Sequence, residues 1–177
     1  CTCFQVHCYL CYLGAFGGGD GGVVIVGTGS IGITYQDKTV RIGGYGFPVS
    51  DEGSGADLGL NALRHALRTL DRRAEPGGLS RDVLAMFENN PSVVIYWVEN
   101  ASATDYATLA PLVTQHAADG DPAAKRLMQQ AGAQIGELVE ALLKHGAPRV
   151  ALIGGLAEIV KGYMPSDIAA KLVAPQA

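Results

Sequence analysis

The sequence predicts an α/β fold in which a mixed sheet containing antiparallel strands is flanked by long helices. Three short β-branched segments follow one another closely between residues 22 and 43. The connections between them are too short for a crossover helix, so these strands are expected to pair antiparallel as a meander. Long amphipathic segments come next, and then the apolar run Val150–Ile153, which is typical of a buried strand.

The first three strands are predicted at residues 22–27, 31–36 and 38–43. Val23–Val26 is an apolar run between glycines, as in a buried strand. Ile33–Ile42 carries β-branched and aromatic residues on both sides of the polar stretch Gln36–Lys38, which is a hairpin pattern. Glycines at Gly43–Gly46 then interrupt the pattern and end this part of the sheet.

The first long helix is predicted to begin near Ser54, because Ser54 and Asp57 have the spacing of a capping box. Apolar residues recur at helical spacing as far as Leu70, so one face of this helix is expected to be buried. The helix is expected to end before Pro76.

The middle of the chain gives weaker signals. A short helix is predicted from Ser80 to Asn89. The segment Pro91–Val98 is ambiguous, because its β-branched and aromatic residues favour a strand but also fit a packed helix. Ser102 and Asp105 form another capping pattern, which predicts a helix as far as about Ala118.

The longest helix is predicted to begin after Asp121, since an aspartate at the N-cap precedes a proline at the first helical position. Gly146 is expected to end it. Its apolar stripe consists of Leu127, Met128, Ala131, Ile135, Leu138, Val139 and Leu142.

A second glycine turn, Gly154-Gly155, follows the last strand. Ligands of α/β folds bind at the carboxyl ends of strands, so this turn and Gly27–Ser30 are candidates to converge on one nucleotide.

The composition excludes several classes of protein. The chain has 177 residues, of which 48% are hydrophobic and 17% charged, as expected of a globular domain with its own core. The formal net charge of −4 argues against a nucleic-acid surface. No apolar run reaches the length of a membrane span. Neither a nucleic acid nor a membrane is therefore expected as a partner.

The glycine-rich run Gly27–Gly32 allows more than one interpretation. Gly27, Gly29 and Gly32 spell G-x-G-x-x-G, a dinucleotide-binding pattern that requires a helix after the third glycine. A hairpin pattern follows instead, which favours a turn that cradles a phosphate with backbone N–H groups. A glycine turn that merely links two strands is the alternative. The absence of G-K-[ST] from the sequence excludes a P-loop.

The cysteines lie together at the start of the sequence, at Cys1, Cys3, Cys8 and Cys11, around His7. The Cys8-x-x-Cys11 spacing suits zinc, but the sequence contains no second pair with metal-ligand spacing. The same stretch fits a half-buried strand in which free cysteines act as small apolar residues. We therefore predict no metal-ligating residues here.

Four motifs in a fixed order carry a family resemblance: Val26-Gly-Thr-Gly-Ser30, Gly43-Gly-Tyr-Gly46, Asp51-Glu-Gly-Ser-Gly55 and Ile153-Gly-Gly-Leu156. From Gly14 to about Ala157 the chain resembles the BadF/BadG/BcrA/BcrD ATPase family, and within it the N-acetylglucosamine and glucosamine kinases. The resemblance implies a lobe of the actin-like ATPase (ribonuclease H-like) fold, a cytoplasmic location, and ATP and Mg²⁺ as cofactors. It leaves open assembly as a homodimer.

The resemblance also implies roles for particular residues. The ATP phosphates would be contacted by Gly27, Thr28, Gly29 and Ser30. The amino sugar would be contacted by Gly44, Tyr45, Gly46 and Asp51, with Asp51 accepting a hydrogen bond from a sugar hydroxyl. The adenosine would be contacted by Gly154, Gly155 and Glu158. Whether Glu52 is structural or lies near Mg²⁺ stays open.

The sequence departs from the family pattern at its start. The family carries a first phosphate hairpin in an N-terminal lobe, and no matching turn stands in this sequence, so residues 1–177 are expected to form one unit resembling the C-terminal lobe. The family's general base is an aspartate whose position falls at about His7, and a histidine can also accept a proton. Residues 1–12 are otherwise unlike the family and are interpreted as divergent or aberrant.

The resemblance implies phosphorylation of glucosamine or N-acetylglucosamine at the 6-hydroxyl by a complete kinase, with this chain alone weak or inactive. One alternative is a non-catalytic module that senses a sugar or a nucleotide. Another is an ATPase activator of a CoA-dehydratase or reductase. The activator is disfavoured, because such proteins bind a cluster through cysteines and no cysteine flanks Gly27–Ser30.

Overall fold

A mixed sheet of four strands is the central layer of the computed structural model, which describes Phe16, residues 19–35 and residues 39–175. The strands are β1 (Gly21–Val26), β2 (Ser30–Tyr35), β3 (Thr39–Gly43) and β4 (Val150–Ile153). They lie in the order β3-β2-β1-β4. β1, β2 and β3 pair antiparallel as a meander, whereas β4 pairs parallel to β1. The predicted mixed sheet is confirmed. The expectations for residues 1–12, including the cysteines and His7, lie outside the described residues.

Eight helices surround the sheet in the described part of the chain: α1 (Gly55–Leu70), α2 (Gly78–Ala85), α3 (Pro91–Asn100), α4 (Ala103–Ala107), α5 (Ala110–Ala118), α6 (Pro122–Lys144), α7 (Ala157–Lys161) and α8 (Ser166–Ala169). Two caps form as predicted. The Ser54 hydroxyl accepts the Asp57 N–H at 3.2 Å, and the Asp121 carboxylate accepts the N–H groups of Ala123 and Ala124. None of these helices is both long and apolar enough to cross a membrane.

In the middle of the chain the structure resolves one open alternative and corrects one prediction. The ambiguous segment is a helix, because Asn90 caps it by accepting the Ser92 N–H at 2.9 Å and Pro91 suits the first turn. The single helix predicted as far as Ala118 is two helices, α4 and α5. Pro111 has no N–H to donate to the preceding turn, so the chain breaks there and α5 begins afresh.

The main core lies between the sheet and the helices. Val24, Val26 and Leu152 point from the sheet into a cluster shared with α1 and α6, and all three are buried. Helix α6 contacts all four strands. Phe16, Val23 and Ala151 form a smaller cluster, since side chains alternate between the two faces of a strand. The long helix α6 therefore supports the sheet from one side along its width.

Candidate functional site

A cavity of about 470 Å³ lies at the end of β1. It is lined by Ile25, Gly27, Thr28, Gly29, Ser30, Ile31, Gly44, Gly46, Asp51 and Gly154. These residues come from three parts of the chain that are distant in sequence. The fold therefore gathers the turn after β1, the loop after β3 and the turn after β4 around one space.

The two glycine turns are neighbours because β1 and β4 are parallel, with Ile25 paired to Ile153. Parallel strands place their carboxyl ends at the same edge of a sheet. Gly154 approaches the end of β1 so closely that a Cβ added to it would lie 2.3 Å from the carbonyl oxygen of Val26. Its φ of +109° also favours glycine. The second turn therefore requires glycine at this position.

The turn Gly27–Ser30, here called the glycine loop, is held in a tight conformation. The Gly27 N–H donates to the Gly29 carbonyl oxygen at 2.9 Å. Thr28 is exposed at the tip, whereas Ser30 is buried and its hydroxyl donates to the Glu52 carbonyl oxygen at 2.7 Å. The space beside Gly27 is also open, since a Cβ added there would meet no atom within 4 Å. Because Ser30 is buried and Thr28 is exposed, Thr28 is the loop residue whose hydroxyl is open to a ligand.

Helix α1 holds the glycine loop from the other side. The Gly55 N–H donates to the Gly27 carbonyl oxygen at 2.8 Å, and the Ala56 N–H donates to the Thr28 carbonyl oxygen at 3.1 Å. The first N–H groups of a helix have no partner within the helix. Here they engage two loop carbonyls, whose partial negative charge would otherwise repel an anion in the loop.

The Gly43–Phe47 segment, here called the aromatic loop, contributes Gly44 and Gly46 to the cavity lining. Gly43, Gly44 and Gly46 have φ values of +67°, +66° and +105°. Arg41 donates from Nε to the Gly43 carbonyl oxygen at 3.1 Å and from Nη2 to that of Gly44. Its guanidinium also lies 5.2 Å from the centre of the Tyr45 ring. Tyr45 is 75% exposed and does not line the cavity.

Among the described residues that line the cavity, Asp51 is the one with an ionisable side chain. Burial above all raises the pKa of Asp51 above its ordinary value, and the negative charge of Glu52 adds to this effect. The nearby backbone N–H groups of Ser30 and Phe47 and the positive charge of Arg41 oppose this rise in the pKa. Asp51 also has a φ of +69°, which is unusual for a residue other than glycine. A strained backbone conformation is kept only where the surroundings impose it.

The structure brings together eight of the residues that the sequence singled out: Gly27, Thr28, Gly29, Ser30, Gly44, Gly46, Asp51 and Gly154. Gly155 and Glu158 do not line this cavity. Glu158 lies instead at a separate hollow of about 210 Å³, together with Lys161 and the segment 172–175. Sequence reasoning missed Ile25 and Ile31, which line the cavity, although their positions in alternating strands gave a signal.

Acidic, histidine and cysteine side chains do not gather in threes as a metal site within the described residues. A Mg²⁺ ion that arrives with nucleotide phosphates needs only one or two carboxylates from the protein. Asp51 lines the cavity, and Glu52 follows it in the chain with its carboxylate 3.3 Å from the Ser50 hydroxyl. The oxygen donors at this point fit a magnesium ion carried by a nucleotide.

Comparisons with known proteins identify the family of this chain. Residues 3–171 match the model of the BadF/BadG/BcrA/BcrD ATPase family. The chain is 34% identical over 165 residues to the glucosamine kinase GspK of Vibrio cholerae, a match that covers 93% of this chain and 56% of that protein. It is 32% identical over 130 residues to an N-acetylmuramic acid/N-acetylglucosamine kinase of Clostridium acetobutylicum, covering 71% of this chain and 42% of that protein. The chain thus spans about half the length of these curated relatives.

Solved structures show the same fold. A candidate N-acetylglucosamine kinase from Chromobacterium violaceum superimposes with a TM-score of 0.88 at 38% identity, covering 96% of this chain and 60% of that one. A second structure, from Porphyromonas gingivalis, has a TM-score of 0.71 at 23% identity and covers 92% and 57% of the two chains. The predicted α/β class, a lobe of the actin-like ATPase fold, is confirmed.

Proposed function

This chain belongs to the BadF/BadG/BcrA/BcrD ATPase family, and from that premise we propose that it serves the ATP-dependent phosphorylation of an amino sugar. Glucosamine and N-acetylglucosamine are the proposed substrates, with the 6-hydroxyl as acceptor. The names of the similar kinases support this substrate class. The observation that carries the proposal is the cavity itself, which places an exposed threonine of the glycine loop near the half-buried carboxylate of Asp51.

On the phosphate side, we assign ATP to the glycine loop. The Thr28 hydroxyl and the backbone amides around it suit the non-bridging oxygens of a phosphoryl group, which carry the charge that a kinase must stabilise. Asp51 or Glu52 would hold Mg²⁺ through a carboxylate oxygen, and the ion would neutralise part of the phosphate charge. The adenosine would extend past Gly154, because that turn adjoins the end of β1.

On the sugar side, we assign the amino sugar to the aromatic loop and Asp51. A carboxylate accepts hydrogen bonds from hydroxyl or amino groups, and a partly buried one discriminates more strongly than one in water. The backbone of Gly44 and Gly46 lines the cavity without a side chain in the way. Tyr45 stands between these two glycines in the chain, and its exposed ring would supply an apolar surface for a sugar ring.

We also propose that residues 1–177 act as one unit that resembles the C-terminal lobe of a two-lobe kinase and transfers phosphate weakly or not at all by itself. Removing the proton of the 6-hydroxyl requires a base. Asp51 is the ionisable candidate in the described lining, and it is committed to holding the substrate. His7 remains a proposed base outside the described residues. Assembly as a homodimer also stays a prediction.

Binding and turnover test the proposal separately. Calorimetry on the 177-residue chain should detect glucosamine or N-acetylglucosamine, with glucose as the control that lacks the amino group. A coupled assay of ADP release should show little turnover with either sugar. If the chain bound neither an amino sugar nor a nucleotide, this result would contradict the proposed function. Robust turnover would contradict only the weak activity, and binding without turnover in a complete homologous enzyme would favour a sensing module.

A further inference from the structure

Arg41 lies on β3, the edge strand that leads into the aromatic loop. Ile42, its neighbour in the chain, packs against the main core. Successive side chains of a strand point to opposite faces, so Arg41 lies on the other face of the sheet. It is paired there with Ile33 of β2, and Ile31 on the same face of β2 lines the cavity. Arg41 therefore shares a face of the sheet with the cavity.

The guanidinium of Arg41 holds the backbone at the start of the aromatic loop. Its hydrogen bonds to the carbonyl oxygens of Gly43 and Gly44 engage two successive residues that both have a left-handed conformation. Gly44 also lies directly against Ile31, because a Cβ added to this glycine would lie 2.9 Å from the isoleucine side chain. An arginine and an isoleucine thus fix the part of the aromatic loop that lines the cavity.

The same guanidinium contacts the ring of Tyr45. The distance of 5.2 Å from the guanidinium carbon to the ring centre lies within the range of a cation–π contact. An exposed side chain loses rotamer freedom when it binds a ligand, and a side chain that is already held loses less. One arginine therefore connects the backbone that lines the cavity to the ring that is proposed to contact the sugar.

We propose that Arg41 is a positioning residue of the sugar side: its guanidinium fixes the peptides of Gly43 and Gly44 and orients the Tyr45 ring for contact with the amino sugar. Arg41 lies outside the cavity lining and acts on the sugar through these neighbours. The inference rests on the proposed function, since the amino sugar is the ligand.

This role requires the shape of the arginine side chain as well as its charge. A guanidinium is planar and carries its N–H donors in fixed directions, so it can donate to two carbonyl oxygens and also lie against an aromatic ring. Lysine keeps the charge on a flexible stem but lacks this geometry. Arg41→Lys is therefore the informative substitution, and it is expected to fold because Arg41 is exposed.

Calorimetry on the full 177-residue chain measures the role. The dissociation constants of ADP and of the amino sugar that the wild type binds more tightly, glucosamine or N-acetylglucosamine, are determined for each variant. We expect Arg41→Lys to bind the sugar about 5-fold more weakly, the factor that corresponds to the loss of one cation–π contact or hydrogen bond. Its affinity for ADP should stay within about 2-fold of the wild type, because the glycine loop is unchanged. Arg81→Lys is the matched control, since Arg81 is an exposed arginine of α2 that does not line the cavity.

Variants of Tyr45 test whether Arg41 acts through the ring. Tyr45→Leu should weaken sugar binding by at least about 5-fold, and Tyr45→Phe, which keeps the ring, should bind the sugar within about 2-fold of the wild type. In the Tyr45→Leu background, Arg41→Lys should weaken sugar binding by a smaller factor than it does alone, because residues that act through one another are not additive.

Three results would overturn the role of Arg41 and leave the proposed function intact. They are an unchanged sugar affinity in Arg41→Lys, an equal loss of sugar and ADP affinity in this variant, and full additivity of Arg41→Lys and Tyr45→Leu. A wild type that binds neither amino sugar would overturn the proposed function, and the role of Arg41 with it. The melting temperature of each variant checks that it is folded.

The contacts of Arg41 are also measured without any ligand. In NMR spectra of arginine side chains, the Nε–H signal of Arg41 is identified by its loss in Arg41→Lys. This N–H should exchange with water more slowly than that of Arg81, because it donates to the Gly43 carbonyl oxygen. Tyr45→Leu should shift the Arg41 signal, since it removes the neighbouring ring, and should leave the Arg81 signal in place. Fast exchange of the Arg41 N–H, or a signal that does not shift in Tyr45→Leu, would overturn the proposal independently of sugar binding.

Discussion

The Gly55 N–H donates to the carbonyl oxygen of Gly27 at 2.8 Å, so the first turn of α1 is fixed directly to the end of β1. The N-terminus of a helix commonly binds an anion through its free N–H groups. In this lobe the Gly55 N–H and the neighbouring Ala56 N–H are already used by carbonyl oxygens of the glycine loop. Helix α1 therefore shapes the loop, and the contacts to a phosphate are left to Thr28 and the loop's own amides.

The contact between Gly154 and the end of β1 predicts a large loss of stability on substitution. Gly154→Ala is expected to destabilise the protein by about 2–4 kcal/mol, since it combines a strained backbone with a steric clash. Gly155→Ala is the matched control, because a Cβ at Gly155 meets no atom within 4 Å. Urea denaturation of both variants gives the free energies of unfolding. Equal losses in the two variants would contradict the close contact.

Asp121 is predicted to stabilise two helices at once. Its Oδ1 accepts the N–H groups of Ala123 and Ala124 in α6, and its Oδ2 accepts the Leu79 N–H of α2 at 3.2 Å. Asp121→Ala removes a helix cap and one further hydrogen bond, so a loss of about 2 kcal/mol at pH 7 is expected. Thermal or urea denaturation measures it, with Asp119→Ala, an exposed neighbour, as the control.

The pH dependence of this loss gives a second check. Burial acts to raise the pKa of Asp121, but the three N–H donors and nearby His116 together lower it below the ordinary 3.8. A lowered pKa in the folded state means that the stabilisation is present above the unfolded value and is lost as the pH falls through the folded value. The difference between the wild type and Asp121→Ala should therefore shrink in acid. A constant difference down to acid unfolding would contradict the role of the charge.

Much of the fold was predictable because its signals are local. The strands were predicted from β-branched runs and short turns. The starts of α1 and α6 were predicted from Ser54 and Asp121, whose side chains are preferred at helix N-caps. Errors arose where one backbone group decides the outcome, as at Pro111, whose missing N–H divides a predicted single helix into α4 and α5.

The site was less predictable because its decisive contacts join distant residues. The sequence marked Asp51 as a candidate, but no local pattern indicates that its carboxylate lies against Gly29 of the glycine loop. The tie between Gly55 and Gly27 is equally non-local. Glu158 shows the opposite difficulty: it lies close to Gly154 in sequence, yet it belongs to a different hollow. Proximity along the chain is a poor guide to which side chains share a cavity.

The half-buried carboxyl of Asp57 predicts a pH dependence of stability opposite in sign to that of Asp121, because its pKa is raised and not lowered. Burial above all raises the pKa of Asp57 above its ordinary 3.8, although the Gly53 N–H and the Asn61 amide oppose the rise. A raised folded-state pKa contributes stability that is present below the unfolded pKa and lost as the pH rises through the folded one. Asp57→Asn, which cannot ionise, should therefore be more stable relative to the wild type at pH 7 than at pH 3.5.

Urea denaturation of Asp57→Asn at the two pH values is the measurement. The Asn61 side chain can turn its amide to present an oxygen, so the new amide at position 57 keeps both hydrogen bonds. Asp20→Asn is the control, because Asp20 is exposed and its substitution should change stability by less than about 0.5 kcal/mol at either pH. A larger advantage of Asp57→Asn at pH 3.5 than at pH 7 would reverse the predicted sign.

Thr28 is predicted to contribute to nucleotide binding and not to folding. Its side chain is exposed at the tip of the glycine loop, so Thr28→Ala should leave the free energy of unfolding within about 0.5 kcal/mol of the wild type. A hydrogen bond to a charged phosphate oxygen contributes about 1.5–3 kcal/mol, which corresponds to at least a tenfold weaker affinity for ADP in this variant. Thr28→Ser keeps the hydroxyl and should bind ADP within a few-fold of the wild type, whereas Thr39→Ala, an exposed threonine of β3, should not affect binding. Calorimetry with ADP and Mg²⁺ compares the four proteins, and equal affinity of the wild type and Thr28→Ala would remove the glycine loop's hydroxyl from the proposed phosphate site.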